Sequence, residues 1–233
     1  MKIYRILFLL MLLIPSALTG QIRSVGLVYG FEYIPENDRF TWNDQSAITL
    51  GDQSGWELGI PGVAVSWNGK SGTDHTVESM PLRFSHELQE AYFMLNDERF
   101  DVGEAKTNRL DSYTRYRFGI IDYTPGESPF HLLLDISATL RADWLDRSPL
   151  ESYYFPYREL DISLAPGIVP GISLDLGERV FINLSIPLEP AEFEWSRRTQ
   201  DNPQLPENER TTGTFSVRPF YRWMARAGVG VRM

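Results

Sequence analysis

The stretch that decides the fold is the last one, FSVRPFYRWMARAGVGVRM, Phe215 to Met233. Counted back from Met233, every second residue is apolar: Val231, Val229, Ala227, Ala225, Trp223, Tyr221, Pro219, Val217 and Phe215. The interleaved positions carry Arg218, Arg222, Arg226 and Arg232 among Ser216, Phe220, Met224, Gly228 and Gly230. Strict alternation predicts a β-strand with one oily and one polar face. A strand this long, with arginines on its polar face, reads as the closing strand of a transmembrane barrel.

The same pattern recurs upstream. Alternating runs occupy Ser24–Tyr33, Trp56–Trp67, Ser112–Tyr123, Phe130–Trp144, Leu160–Leu176 and Val180–Glu189. A further strand places Met80, Leu82, Phe84 and Leu88 against Arg83, Ser85, Glu87 and Gln89. The phase changes at Pro61-Gly62, which predicts a bulge. Eight strands result, with short turns at Pro125-Gly126 and Gly177-Glu178-Arg179. On the other side the connections are long: Pro35–Gly55, Glu90–Asp111, the segment after Trp144 to Glu159, and the polar segment ending near Gly213.

The chain of 233 residues opens with Lys2 and Arg5, the apolar run Ile6–Ile14 and small residues up to Gly20. This is the form of a secretory signal peptide over residues 1–20, leaving 21–233 as one barrel domain. No run approaches the length of a transmembrane helix, so any span is made by strands. Cysteine is absent, which excludes disulfides, thiolate metal sites and a lipidated N-terminal cysteine. Without Lys2 and Arg5 the chain carries 20 basic and 31 acidic residues, a net charge of −11 that argues against a nucleic-acid partner. Lysine occurs only at positions 2, 70 and 106, so 19 of the 22 basic residues are arginine. Arginine suits cations packed into planar hydrogen-bonded networks.

The charges on the polar faces balance. Glu32, Glu57, Glu87, Asp135, Asp143, Asp161, Asp175 and Glu189 stand against Arg83, Arg115, Arg117, Arg141, Arg218, Arg222, Arg226 and Arg232. Such a set suits a mutually neutralised lumen, and it places the net acidity in the connections. A hairpin centred on Gly126 sets Arg117 opposite Asp135, whereas a centre one residue later sets Gly119 there. The pattern of strands, turns and interfacial aromatics resembles the small eight-stranded outer-membrane barrels of Gram-negative bacteria, the OmpA/OmpX-like barrels. The resemblance implies an all-β, eight-stranded antiparallel up-and-down transmembrane barrel in the outer membrane.

The chemistry such a barrel could perform is sparsely marked. Three histidines occur, His75, His86 and His131. His131 is too far along its strand from Asp135 to bond it directly and reads as a network or turn-end residue. His86 falls on the expected lipid face, where an enzyme modifying lipid A could place a catalytic group, yet no serine and acid accompany it. No metal-ligand spacing or phosphate-binding loop occurs, and no cofactor is expected. Tyr153, Tyr154, Phe155 and Tyr157 form an aromatic run able to pack on itself or to contact a partner. The expected function is a non-enzymatic envelope element or docking surface, in contact with outer-membrane lipid and with another envelope protein through acidic loops. The alternatives are a lipid A-modifying enzyme and a soluble exported lipocalin-like barrel with its apolar face inward.

Overall fold

The computed structural model describes residues 21–33, 39–42, 46–59, 61–69, 73–95, 98–149, 155–219 and 223–233. Residues 1–20, and with them the expected signal peptide, lie outside this set. Among the described residues the regular structure is β throughout. In chain order the strands are β1 (Ile22–Tyr33), β2 (Arg39–Trp42), β3 (Ser46–Gly59), β4 (Gly62–Asn68), β5 (Asp74–Leu95) and β6 (Glu98–Tyr123). They continue as β7 (Phe130–Pro149), β8 (Tyr157–Asp175), β9 (Val180–Ser185), β10 (Ala191–Gln200), β11 (Thr211–Pro219) and β12 (Trp223–Arg232).

Hydrogen-bonded neighbours run β8, β7, β6, β5, β4, β1, β12 and β9, and β9 pairs back onto β8. All of these pairings are antiparallel, so the sheet closes into an eight-stranded barrel. Beyond the closed ring the staves are extended: β3 continues β4 along β5, β10 continues β9 along β8, and β11 lies on β10. The break between β3 and β4 falls at Pro61, as its lack of an N–H donor requires. The break after β9 contains Pro187 and Pro190. There Leu188 bonds Ile168 in both directions, at 2.8 and 3.0 Å, and a Cβ on Gly167 would lie 2.6 Å from the Leu188 oxygen. Only glycine tolerates that approach.

Three expectations are corrected, the third of them the face of Met80. Much of the supposedly long loops is strand: β5 and β6 pair as far as Leu95 opposite Glu98, and β10, with the start of β11, occupies ground expected to be loop as far as Gly213. The far ends of β5 and β6 alternate weakly because, above the apolar band, neither face needs to be oily. The register of β6 on β7 also differs. Gly119, and not Arg117, stands opposite Asp135, and Arg117 faces Ser137. The connection is asymmetric, with Tyr123 opposite Leu132, and a bulge follows between Gly119 and Ile121. That bulge turns two consecutive residues outward, Ile120 at 51 % and Ile121 at 47 % exposure.

The faces divide as the alternation of β12 requires. Outward are Leu27, Ile136, Leu164, Ile168, Leu184, Val229 and Val231, all exposed. Inward are Glu78, Arg115, Thr139, Arg141, Glu192 and Arg226, all buried. Buried apolar residues are few, and the cluster they form is Met80, Tyr113 and Met224. Met80 was expected on the oily outer face with Leu82. A register shift between Met80 and Arg83, spanning Pro81, instead sends Met80 inward and leaves Leu82 outside.

Candidate functional site

The lumen is built from short-range pairing of charges that alternate inward. At mid-height, Glu78 of β5 and Arg115 of β6 are fully buried. Glu78 Oε1 lies 2.7 Å from Arg226 Nε and 3.6 Å from Arg115 Nη1, and it accepts the Tyr113 hydroxyl at 3.0 Å. Arg115 turns its other edge to Glu189, 3.1 Å away, and donates Nε to Thr139 Oγ1 at 2.9 Å. Thr139 in turn donates to Glu189 at 2.6 Å, and Arg141 pairs with the second oxygen of that carboxylate. Arg141 also reaches Glu192 at 3.7 Å, which accepts from Ser163. Guanidinium groups from β6, β7 and β12 therefore converge on carboxylates from β5, β10 and the β9–β10 connection, the fork-to-carboxylate geometry for which arginine is suited.

Towards the short turns, Arg117 Nη1 meets Asp135 at 3.2 Å, so the pair forms on a diagonal even though the residues are not opposite. Below it lies a cavity of about 120 Å³ bordered by Arg117, Asp135, Asn183, Ser173, Thr76 and Arg226. At the mouth, His131 sits between Asp122 at 3.2 Å and Asp175 at 3.1 Å, with Thr124 at 2.9 Å. Arg232 grips both oxygens of Asp175, at 2.7 and 2.6 Å, and Arg23 pairs with Asp74 at 2.7 Å.

Towards the far end, Arg83 pairs with Asp111, Arg109 with Asp143, Arg218 with Glu194 and Arg198 with Glu159. Arg198 also lies 4.6 Å above the ring of Tyr157, whose hydroxyl accepts Arg147 at 3.4 Å. Tyr157 is thus tied into this mouth, and Phe155 is half-buried nearby in sequence. Tyr153, Tyr154 and Arg222 lie outside the described residues, and so does the side chain of Glu32. Glu87 continues the inward set of β5 at the far end, and it makes no ion pair among the described residues.

Of the expected network, Arg83, Arg115, Arg117, Asp135, Arg141, Asp175, Arg218 and Arg226 are brought into ion pairs with buried or half-buried partners. Asp161 faces the same lumen without an ion pair among the described residues. Missed were Glu78, Glu192, Glu194, Arg109 and Asp111. Glu192 and Glu194 alternate with Phe193 and Trp195, a period-2 signal that a proline-flanked start disguised as a loop. Glu78 was missed because the strand was begun two residues late.

The histidines have structural partners. His86 lies opposite Asn108 and its Nδ1 is 2.7 Å from Asn108 Oδ1. His75 stacks on Trp67 at 5.6 Å and bonds the Tyr116 hydroxyl at 2.5 Å. No cluster of His, Cys, Asp or Glu able to hold a metal ion occurs among the described residues.

No known family model matches the chain, and neither does any curated protein. Among solved structures it is similar to the crystal structure of Neisserial surface protein A (NspA), at 10 % identity and a TM-score of 0.31, over 91 % of this chain and 96 % of that one. The superposition is loose, and the eight-stranded closed barrel stands on its own strand pairing.

Proposed function

We propose that the chain is a non-enzymatic outer-membrane barrel whose lumen is sealed by its ion network and whose far-end hairpins serve as an envelope element or docking surface. The observation that carries this reading is the distribution of burial. Ile136, Leu164, Ile168 and Val229 on the wall are 45–50 % exposed, while Glu78 and Arg115 inside are 0 % exposed. In water this arrangement is costly twice over, because it exposes apolar area and desolvates charge. In a bilayer the wall meets its own kind, and the closed ring leaves no unpaired edge facing lipid. A lipocalin-like barrel would show the opposite arrangement. With the short turns at the periplasmic side, the projecting β5–β6 and β10–β11 hairpins lie outside the cell.

Extraction decides the matter. The protein should leave membranes only with detergent, and folded and boiled samples should migrate differently on a gel. A protein soluble without detergent and indifferent to boiling would refute the proposal.

A further inference from the structure

Asp143 of β7 and Asp161 of β8 stand directly opposite one another, and Asp111 of β6 stands opposite Asp143 on its other side. Residues so placed bring their Cβ atoms to about 4.5–5.5 Å, where like charges repel. A row of three inward carboxylates therefore calls for three countercharges, and the described residues supply two. Arg83 of β5 donates to Asp111 Oδ2 at 2.8 Å. Arg109 of β6 gives both Nε and Nη2 to a single oxygen of Asp143, Oδ2.

The remaining charges at this end are already engaged. Glu159 of β8 is held by Arg198 of β10 at 2.9 Å, and Glu194 of β10 by Arg218 of β11 at 2.6 Å. Arg141 of β7 faces Glu189 and Glu192. Ser196 of β10, opposite Asp161, donates to Glu159 at 2.8 Å and also stands within hydrogen-bonding reach of the Asp161 carboxylate, but not of its buried Oδ1. Asp161 is left with no ion pair among the described residues. Two oxygens remain, Asp143 Oδ1 and Asp161 Oδ1, both buried and both without a hydrogen-bond partner, and the Asp143 side chain is only 9 % exposed.

We propose that Asp161 is protonated in the folded barrel and donates that proton to Asp143 Oδ1, so that the pair binds one proton and carries one negative charge. A single proton satisfies both oxygens and removes the repulsion, the behaviour of carboxylates forced to share a site. A metal ion fits less well, since no group of three or more ligating side chains among the described residues is arranged for one. Arg109 fixes the direction: both of its donors go to Asp143 Oδ2, whereas Asp161 has no cation of its own among the described residues, so the proton is placed on Asp161. The unfolded chain ionises both residues at neutral pH. Stability therefore falls as pH rises through the pair's titration and levels off above it. The pair makes the far end of the β7–β8 hairpin an alkali-sensitive seam.

Infrared spectroscopy of the folded barrel in detergent tests this directly. A protonated-carboxyl carbonyl band is expected at neutral pH. It should shift when aspartate carboxyls are labelled with carbon-13 and should fade at alkaline pH. Asp161→Asn should abolish the band, and it should also flatten the alkaline decline of the unfolding midpoint. Asp111→Asn should leave the band in place. A folded wild type without an aspartate band overturns the proposal, as does a band that survives Asp161→Asn. A rise of the wild-type midpoint with calcium that Asp161→Asn removes also overturns it, by assigning the two oxygens to a cation. Should Asp161→Asn fail to fold, the labelled wild type still decides.

Discussion

At the residue scale the fold turns on charges that have no water to fall back on. Glu78 is the clearest case. It is wholly buried and faces Arg226, Arg115 and Arg117, at 2.7, 3.6 and 3.9 Å. Removing one partner from a buried ion group leaves its neighbours desolvated and uncompensated, at about 3–5 kcal/mol. Glu78→Ala should destabilise the barrel by that order in denaturant titrations. Asp74→Ala removes the partner of Arg23 in a pair whose side chains are 43 % and 36 % exposed, and water replaces what is lost there. Its cost should stay below about 1 kcal/mol. Equal costs for the two variants would mean that the lumen is hydrated at mid-height. Glu78 was not legible in the sequence because a single glutamate two residues before Met80 carries no mark of its three arginines, which come from two other strands.

At the scale of the element, alternation did most of the work, and it failed where a proline or a bulge shifts the phase. The faces of β12 follow from the sequence residue by residue, with Met224 and Arg226 inward and Ala225 and Val229 outward. In β5 the shift at Pro81 reverses the faces of Met80 and the residues before it, and no periodicity computed across a bulge can show that. Register was the other illegible quantity. It depends on turn shape, and Gly126 at φ 62° adopts a conformation that side chains resist. Gly126→Ala meets no neighbour within 4 Å, so its cost is purely conformational and should come to about 1 kcal/mol. A loss of several kcal/mol would show that the turn does more than link β6 and β7. On the wall, Val229→Arg should cost at most about 2–4 kcal/mol, less if Val229 lies near an interface.

At the scale of the whole molecule, the barrel is inside-out relative to a soluble protein, with ion pairs at its centre and oil on its surface. Eight-stranded barrels are narrow enough for side chains to fill, and the Glu78, Arg115, Glu189 and Arg141 cluster occupies the middle of this one. In planar bilayers it should show no steady conductance, and stable openings would mean that the cluster parts. The class of fold could be read in the sequence because every stave repeats the same demand for an oily outer face. A role for the far-end hairpins could not be read, because their sequences mark no chemistry of their own. The most direct test of the account is the surroundings of Val229. The chain has no native cysteine, so a single cysteine can be placed there and compared with one at Glu127 in the exposed turn. In native membranes the Glu127 cysteine, once the turn side is made accessible, should label with water-soluble thiol reagents. The Val229 cysteine should refuse them and accept bilayer-soluble ones. Ready labelling of Val229 from water in the folded protein would contradict the account.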